Sequence, residues 1–223
     1  MSVHCCNSEN QPFAGASPRY RRILWLVIAL NAIMFAVEVV AGALSGSMSL
    51  QADAMDFAAD AATYGLTLYM IGRSLRWRAT AALIKAGSLA LMGSYVLGAT
   101  VYRVFVMETP EPLIMGAVGV AALAVNVTAA LLLFRFRDGD ANVRSVWLCS
   151  RNDAIGNVAV MLAALGVFGT GTAWPDLAVA AIMAGLFLYS SVSILRQSLG
   201  ELRASRHAHV IPVGARTDVR SAS

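Results

Sequence analysis

The stretch ILWLVIALNAIMFAVEVVAGALSGSMSLQADAMDFAAD, residues 23–60, decides the fold of this chain. Its first part, residues 23–44, is almost entirely apolar and long enough for an α-helix to cross the roughly 30 Å of hydrocarbon in a bilayer. The small polar residues 45–47 then form a turn, and a second long segment begins at Met48. The stretch therefore predicts two membrane helices joined as a hairpin.

Composition extends this prediction to the whole chain. Of the 223 residues, 58% are hydrophobic and only 13% are charged, whereas a soluble domain carries roughly 25% charged residues. The apolar residues gather in blocks of membrane-spanning length, which excludes a water-soluble fold. We predict an all-α polytopic membrane protein, a bundle of six transmembrane helices at about Ile23–Leu44, Met48–Gly72, Thr80–Tyr102, Leu113–Phe134, Val146–Phe168 and Pro175–Ile194.

The two ends of the chain are polar. Residues 1–20 are predicted to be a disordered cytoplasmic leader, because the segment is irregular and rich in turn residues. Residues 21–198 are predicted to form a six-helix transmembrane domain, and residues 199–223 a short cytoplasmic tail, too short for a second folded domain. Three cysteines, Cys5, Cys6 and Cys149, give no disulfide framework.

The net charge of +4 reflects membrane topology rather than a nucleic-acid partner, because the basic residues lie at segment ends. Arginines gather in the leader, in the loops after segments two and four, and in the tail, whereas the other three loops contain only Arg103. By the positive-inside rule both termini are cytoplasmic, which agrees with an even number of spans. We expect a position in the bacterial inner membrane.

Acidic residues inside two segments are the candidate functional residues. Segment two contains Asp53, Asp56 and Asp60, and each costs about 2.5–3.5 kcal/mol near a helix centre. Their spacing places them on one helical face, which must point into the protein. Segment five contains Cys149 and Asp153, again one turn apart.

Two helices that each offer two such side chains predict a shared tetrahedral metal site of Asp56, Asp60, Cys149 and Asp153. Because a thiolate favours softer ions, Zn²⁺ or Cd²⁺ is the expected transported substrate, with Co²⁺ also possible. No permanently bound cofactor is expected. A structural role, in which Asp56 and Asp60 bond to Ser, Asn or Arg151, is the alternative. Cys149 taken alone is more often a small buried hydrophobe than a ligand.

Other polar residues have further candidate roles. Asp53 lies near the extracellular end of its helix, where water can reach it, and polar support or a vestibule role fits it better than ligation. Asn152 and Asn157 suit interhelical hydrogen bonds, with Asn157 as a reserve ligand. Glu38 is a candidate for a proton-relay or gating group. The long side chain of Lys85 could extend its ammonium group to the membrane surface or pair with an acid. At the two termini, His4-Cys5-Cys6, His207 and His209 could capture soft metal ions before transfer, but incidental side chains in a disordered terminus are the favoured interpretation.

Segments one, two and five also carry a family pattern. Its residues are Asn31, Phe35, Glu38, Gly42, Ser45-Gly46-Ser47, Leu50, Ala52-Asp53-Ala54-Met55-Asp56, Asp60 and Asn152-Asp153-Ala154-Ile155-Gly156-Asn157. This pattern resembles the cation diffusion facilitator family over about residues 20–200. The resemblance implies that Asp56 and Asp60 are the helix-two ligands and that Asp153 is the last helix-five ligand, where Cys149 replaces the usual His or Asp.

The resemblance further implies a homodimeric, proton-coupled exporter of Zn²⁺ or a similar ion. The family's usual cytoplasmic domain is not expected in residues 199–223, so dimer contacts would rest on membrane helices. Three carboxylates and a thiolate in one low-dielectric cavity cannot all stay ionised without a cation. Because metal binding needs deprotonated ligands, exchange of an ion for protons follows from the site.

Three rival functions are less consistent with the sequence. An intramembrane hydrolase lacks a partner motif and a nucleophile beside a base, so we expect no enzyme. A membrane sensor would have little output surface in the short tail. The runner-up is a proton-coupled small-molecule antiporter that uses the same aspartates as proton carriers.

Overall fold

The computed structural model describes residues 17–70, 75–106, 108–138 and 141–208. Within these ranges the chain forms six α-helices and no strand, which confirms the predicted all-α class. The leader motif His4-Cys5-Cys6 and His209 lie outside the described residues. The helices are α1 (Pro18–Ser45), α2 (Met48–Met70), α3 (Leu75–Val106), α4 (Pro112–Phe134), α5 (Ala141–Thr170) and α6 (Trp174–Ala208).

Five of the described helices are long and apolar enough to cross a membrane: α1, α3, α4, α5 and α6. The remaining helix, α2, is long enough at 23 residues, but Asp53, Asp56 and Asp60 reduce its apolar content. It is shielded by its neighbours, because it contacts α1, α3, α5 and α6. The acidic helix therefore lies inside the bundle, where the sequence places it.

Several helices extend beyond their predicted ends. Helix α1 begins at Pro18, because the Ser17 hydroxyl accepts a 3.2 Å hydrogen bond from the Tyr20 N–H and proline suits the first helical position. Helix α6 continues past the predicted end at Ile194 as far as Ala208. Ten residues of the predicted tail are thus helical.

The hairpin between α1 and α2 turns at Gly46, whose φ of 69° is left-handed and therefore favours glycine. The backbone N–H of Glu111, which precedes α4, donates a 2.9 Å hydrogen bond to the carbonyl of Ser45. The start of α6 also contacts this turn through Asp176. We call the end of the bundle formed by the α1–α2, α3–α4 and α5–α6 connections the hairpin end.

The helices pack most extensively as three pairs, α1 with α2, α3 with α6, and α4 with α5. Small residues allow the closest approaches. A Cβ placed on Gly93 of α3 would lie 3.0 Å from the Leu188 side chain of α6, so glycine at this position allows the two helices to pack closely. The bundle is thus tight along α3 and α6, and its polar interior lies along α2.

Candidate metal-transport site

One face of α2 carries the polar side chains of Asp53, Asp56, Asp60 and Tyr64. Their spacings of three, four and four residues place them one above another on a helix. Asp53, Asp60 and Tyr64 are buried, whereas Asp56 keeps part of its surface accessible. The face is therefore buried at Asp53, Asp60 and Tyr64 and only partly buried at Asp56.

The carboxyl group of Asp153 in α5 lies within hydrogen-bonding range of the carboxyl groups of Asp56 and Asp60 in α2. One of its oxygens, Oδ2, is buried and faces no hydrogen-bond donor in the described part of the chain. Carboxylate oxygens only accept hydrogen bonds. Contacts among these three acids therefore require a proton or a cation between them. We call Asp56, Asp60 and Asp153 the acid cluster.

Cys149, one turn before Asp153, lies beside the acid cluster. It is a free, partly buried thiol and interacts electrostatically with Asp60 and Asp56. Its other side packs against an apolar group that includes Leu24 and Tyr64. The structure thus brings the four predicted ligands to one region, where the thiol also has the packing role expected of a buried cysteine.

The four side chains do not form a closed coordination shell. Among the residues that the structure describes, no group of three or more His, Cys, Asp or Glu side chains is arranged to hold a metal ion. An ion that enters between the acids must therefore rearrange their side chains. The set Asp56, Asp60, Cys149 and Asp153 stays a prediction.

Tyr64 has a role in the site that was not predicted from the sequence. The Tyr64 hydroxyl donates a hydrogen bond to Asp60 Oδ2 and lies 3.2 Å from the Ser150 hydroxyl of α5. This contact fixes one oxygen of Asp60 and links α2 to α5. The signal was present in the sequence, because Tyr64 follows Asp60 by four residues and so lies on the same helical face.

The structural alternative for the acids is only partly supported. Arg151 is exposed, donates to the Asn152 side chain at 3.2 Å, and places its guanidinium 5.3 Å from the centre of the Trp147 ring. It therefore interacts with its own helix rather than with Asp56 or Asp60. Lys85 of α3 interacts electrostatically with both of these acids, and the hypothesis that it pairs directly with one of them stays a prediction.

The expectation that water reaches Asp53 is wrong. Asp53 is only 1% exposed, because Glu38 of α1 and Asn157 of α5 lie against its carboxyl group. Asn157 donates a 2.6 Å hydrogen bond to Asp53 and accepts one of 2.9 Å from Asn126 of α4. This confirms the predicted interhelical hydrogen bonding of Asn157.

Comparison with known proteins gives a consistent result. A family model described as the cation efflux transmembrane domain matches residues 24–203. The zinc transporter ZitB of Escherichia coli (strain K12) is 30% identical over 198 residues, which cover 82% of this chain and 62% of that protein. ZitB of Yersinia pestis is 28% identical over 196 residues, with 80% and 62% coverage.

A third relative is the cadmium, cobalt and zinc/H⁺–K⁺ antiporter of Bacillus velezensis, which is 24% identical over 209 residues that cover 86% of this chain and 65% of that protein. The chain thus spans about 62% of the length of the ZitB relatives. The family model matches most of the chain and includes all the acids described above. The chain is an integral membrane protein and belongs to the cation efflux family of transporters, the cation diffusion facilitator family that its sequence resembles.

Proposed function

We propose that this protein exports divalent transition-metal ions, Zn²⁺ or Cd²⁺, from the cytoplasm in exchange for protons. The observation that carries the proposal is the acid cluster, where Asp153 of α5 meets Asp56 and Asp60 of α2 with the Cys149 thiol beside them. The names of the relatives, zinc transporters and a cadmium, cobalt and zinc antiporter, support the same substrate class.

The chemistry of the cluster supports exchange with protons. Asp56, Asp60 and Asp153 cannot lie together without a cation or protons between them, because all three are acids removed from bulk water. An ion bound by these carboxylates and by the Cys149 thiolate would take the place of protons. Departure of the ion would allow protons to return. The ion is substrate in this scheme, and no resident cofactor is needed.

The distribution of arginine supports an orientation with both termini in the cytoplasm of a bacterial cell. Arg135 and Arg137 lie at the end of the bundle opposite the hairpin end, as does the first turn of α1 with Arg19. At the hairpin end, Arg103 is neutralised by a 2.6 Å ion pair with Glu108. The positive-inside rule then places the hairpin end outside.

We also propose that two copies form a homodimer through their membrane helices, as the family resemblance implies. Cross-linking of the reconstituted protein and measurement of its mass in detergent test this part. If the measured mass corresponded to a single chain at protein concentrations that support transport, the homodimer would be contradicted.

The main test is transport in proteoliposomes that contain a fluorescent metal indicator and a pH indicator. Parent protein, Asp56→Asn and Cys149→Ser are compared for Zn²⁺, Cd²⁺, Co²⁺ and Mn²⁺. Asp138→Asn is the matched control, because Asp138 is exposed and lies outside the helices. We expect metal and proton fluxes in the parent and the control, and loss of both in Asp56→Asn.

The absence of metal flux in the parent, or normal flux in Asp56→Asn, would contradict metal export. Proton flux driven by an organic cation in the parent would instead identify a small-molecule antiporter. Both outcomes are measured in the same vesicles.

A further inference from the structure

A second pair of acids lies in the interior of the bundle, apart from the acid cluster. Glu38 of α1 is 0% exposed, and neither of its carboxyl oxygens faces an N–H or O–H donor among the described residues. Its carboxyl group lies within hydrogen-bonding range of that of Asp53 on α2. Two carboxyl groups can approach this closely only with a proton or a cation between them.

The surroundings of the pair favour a proton. Besides its partner Asp53, Glu38 interacts electrostatically with Asp56 of α2, which adds further negative charge. In the described part of the bundle, Lys85 interacts with Asp56 and with Asp60 and Cys149, but not with this pair. Asp53 meets only Asn157 on the side of α5. One shared proton lowers the negative charge of the pair, and no positively charged side chain is needed for this.

A chain of amides adjoins the pair. Asn126 donates to Asn157 at 2.9 Å, and Asn157 donates to Asp53 at 2.6 Å. The remaining oxygen of Asn126, Oδ1, is buried without a hydrogen-bond partner in the described structure. If Asp53 gained a proton, it could donate to the oxygen of a reversed Asn157 amide, and Asn157 could then donate to Oδ1 of Asn126 once the Asn126 amide reversed as well. The chain therefore has a hydrogen-bond pattern for either protonation state of Asp53.

We propose that Glu38 and Asp53 form a proton-binding pair, distinct from the predicted metal ligands, that exchanges a proton each time the acid cluster gains or loses its ion. This inference rests on the proposed function. Asp56, one helical turn from Asp53, belongs to the acid cluster and interacts electrostatically with both members of the pair. A divalent ion bound there favours loss of the shared proton to water, and its departure favours rebinding. One O–H bond breaks or forms in each step.

The first test is infrared difference spectroscopy of the reconstituted full chain during a pH titration without metal. The carbonyl bands of protonated carboxylic acids come from both the pair and the acid cluster, and the band that changes in a variant of the pair identifies the contribution of the pair. We expect Glu38→Gln to lose such a band and Asp53→Asn to shift it. Glu111→Gln, the same change in an exposed acid, should leave it unchanged. An unaltered band in Glu38→Gln, or in Asp53→Asn if Glu38→Gln does not fold, would overturn the proposal.

The second test counts protons released per Zn²⁺ bound in a weakly buffered solution. Glu38→Gln keeps the size of the side chain, and its amide N–H can donate to Asp53 in place of the shared proton. If Glu38 had a purely structural role, the number of protons released per ion would therefore stay the same. We expect about one proton fewer per ion than in the parent. An unchanged count would overturn the exchange role. If the parent transports no metal, the proposed function fails, whereas the infrared test still decides whether the pair binds a proton.

Discussion

The carboxylate of Asp176, in the first turn of α6, accepts a 2.6 Å hydrogen bond from the hydroxyl of Ser49 at the start of α2. It also accepts hydrogen bonds from the Ser47 hydroxyl at 2.6 Å and from the backbone N–H groups of Met48 and Ser49 at 2.7 and 3.0 Å. A side chain from α6 thus caps the N-terminus of α2. The cap fixes the position of α2 along its axis, and with it the position of the acid cluster.

We predict that Asp176→Asn destabilises the bundle. Four donors converge on the buried carboxylate, and an amide both loses the charge and directs its own N–H groups at some of these donors. Hydrogen bonds to a charged group contribute about 1.5–3 kcal/mol each, so we expect a loss of at least about 2 kcal/mol. Thermal unfolding in detergent measures this as a lower midpoint.

The control for this variant is Asp138→Asn, which changes an exposed carboxylate in the same way. Its unfolding midpoint should equal that of the parent. Equal midpoints for Asp176→Asn and the parent would show that the cap contributes little to stability.

We predict that Tyr64→Phe weakens metal binding without unfolding the protein. The variant keeps the ring in its apolar group and removes the hydroxyl that donates to Asp60. Loss of a partner that orients a metal ligand typically reduces affinity by about 10–100-fold. Calorimetric titration with Zn²⁺ measures the change.

Tyr95→Phe is the matched control, because Tyr95 is exposed on α3. It should bind Zn²⁺ as the parent does. If Tyr64→Phe also binds with unchanged affinity, Asp60 either does not need this hydrogen bond or is not a ligand.

The fold could be predicted from the sequence because membrane helices depend on local composition. Each apolar block satisfies its own backbone hydrogen bonds as a helix, so its length and position are visible without knowledge of its neighbours. The helix ends were less accurate. The extension of α6 to Ala208 passes through polar sequence, where hydrophobicity gives no signal.

The site could be predicted in part. Spacing on one helix placed Asp56 with Asp60, and Cys149 with Asp153. The meeting of the two pairs was predicted from the number of ligands that a tetrahedral ion needs, not from spacing. The pairing of Glu38 with Asp53 was accessible to sequence reasoning, since the two lie at similar distances before and after Gly46 in one hairpin. The Asp176 cap could not be predicted from the sequence, because it joins Asp176 to Ser49, which are separated by 127 residues in the chain.

We predict that Lys85→Gln strengthens metal binding. Lys85 is the only lysine in the sequence, and its ammonium group interacts electrostatically with Asp56, Asp60 and Cys149. It therefore repels an incoming cation and balances the charge of the empty cluster. We expect Zn²⁺ affinity to rise about three- to tenfold, where a tenfold change corresponds to about 1.4 kcal/mol.

Lys85→Arg is the control for charge, and its affinity should remain near that of the parent. Binding constants are measured by competition with a metal indicator at one pH and ionic strength. A weaker affinity in Lys85→Gln would mean that Lys85 positions the acids rather than competing with the ion.

We predict that Cys149→Ser changes the order of preference among ions. The thiol lies beside Asp60 and Asp56, and a thiolate favours Cd²⁺ over harder ions, whereas a hydroxyl does not. Cd²⁺ affinity should fall about tenfold or more, and Mn²⁺ affinity should change little. A cadmium–thiolate absorption band in the ultraviolet, measured in chains that also carry Cys5→Ser and Cys6→Ser, should appear when Cys149 is present and be absent from Cys149→Ser. If the parent shows no such band and Cys149→Ser binds Cd²⁺ normally, Cys149 is a packing residue, and the ligands must be sought among the carboxylates alone.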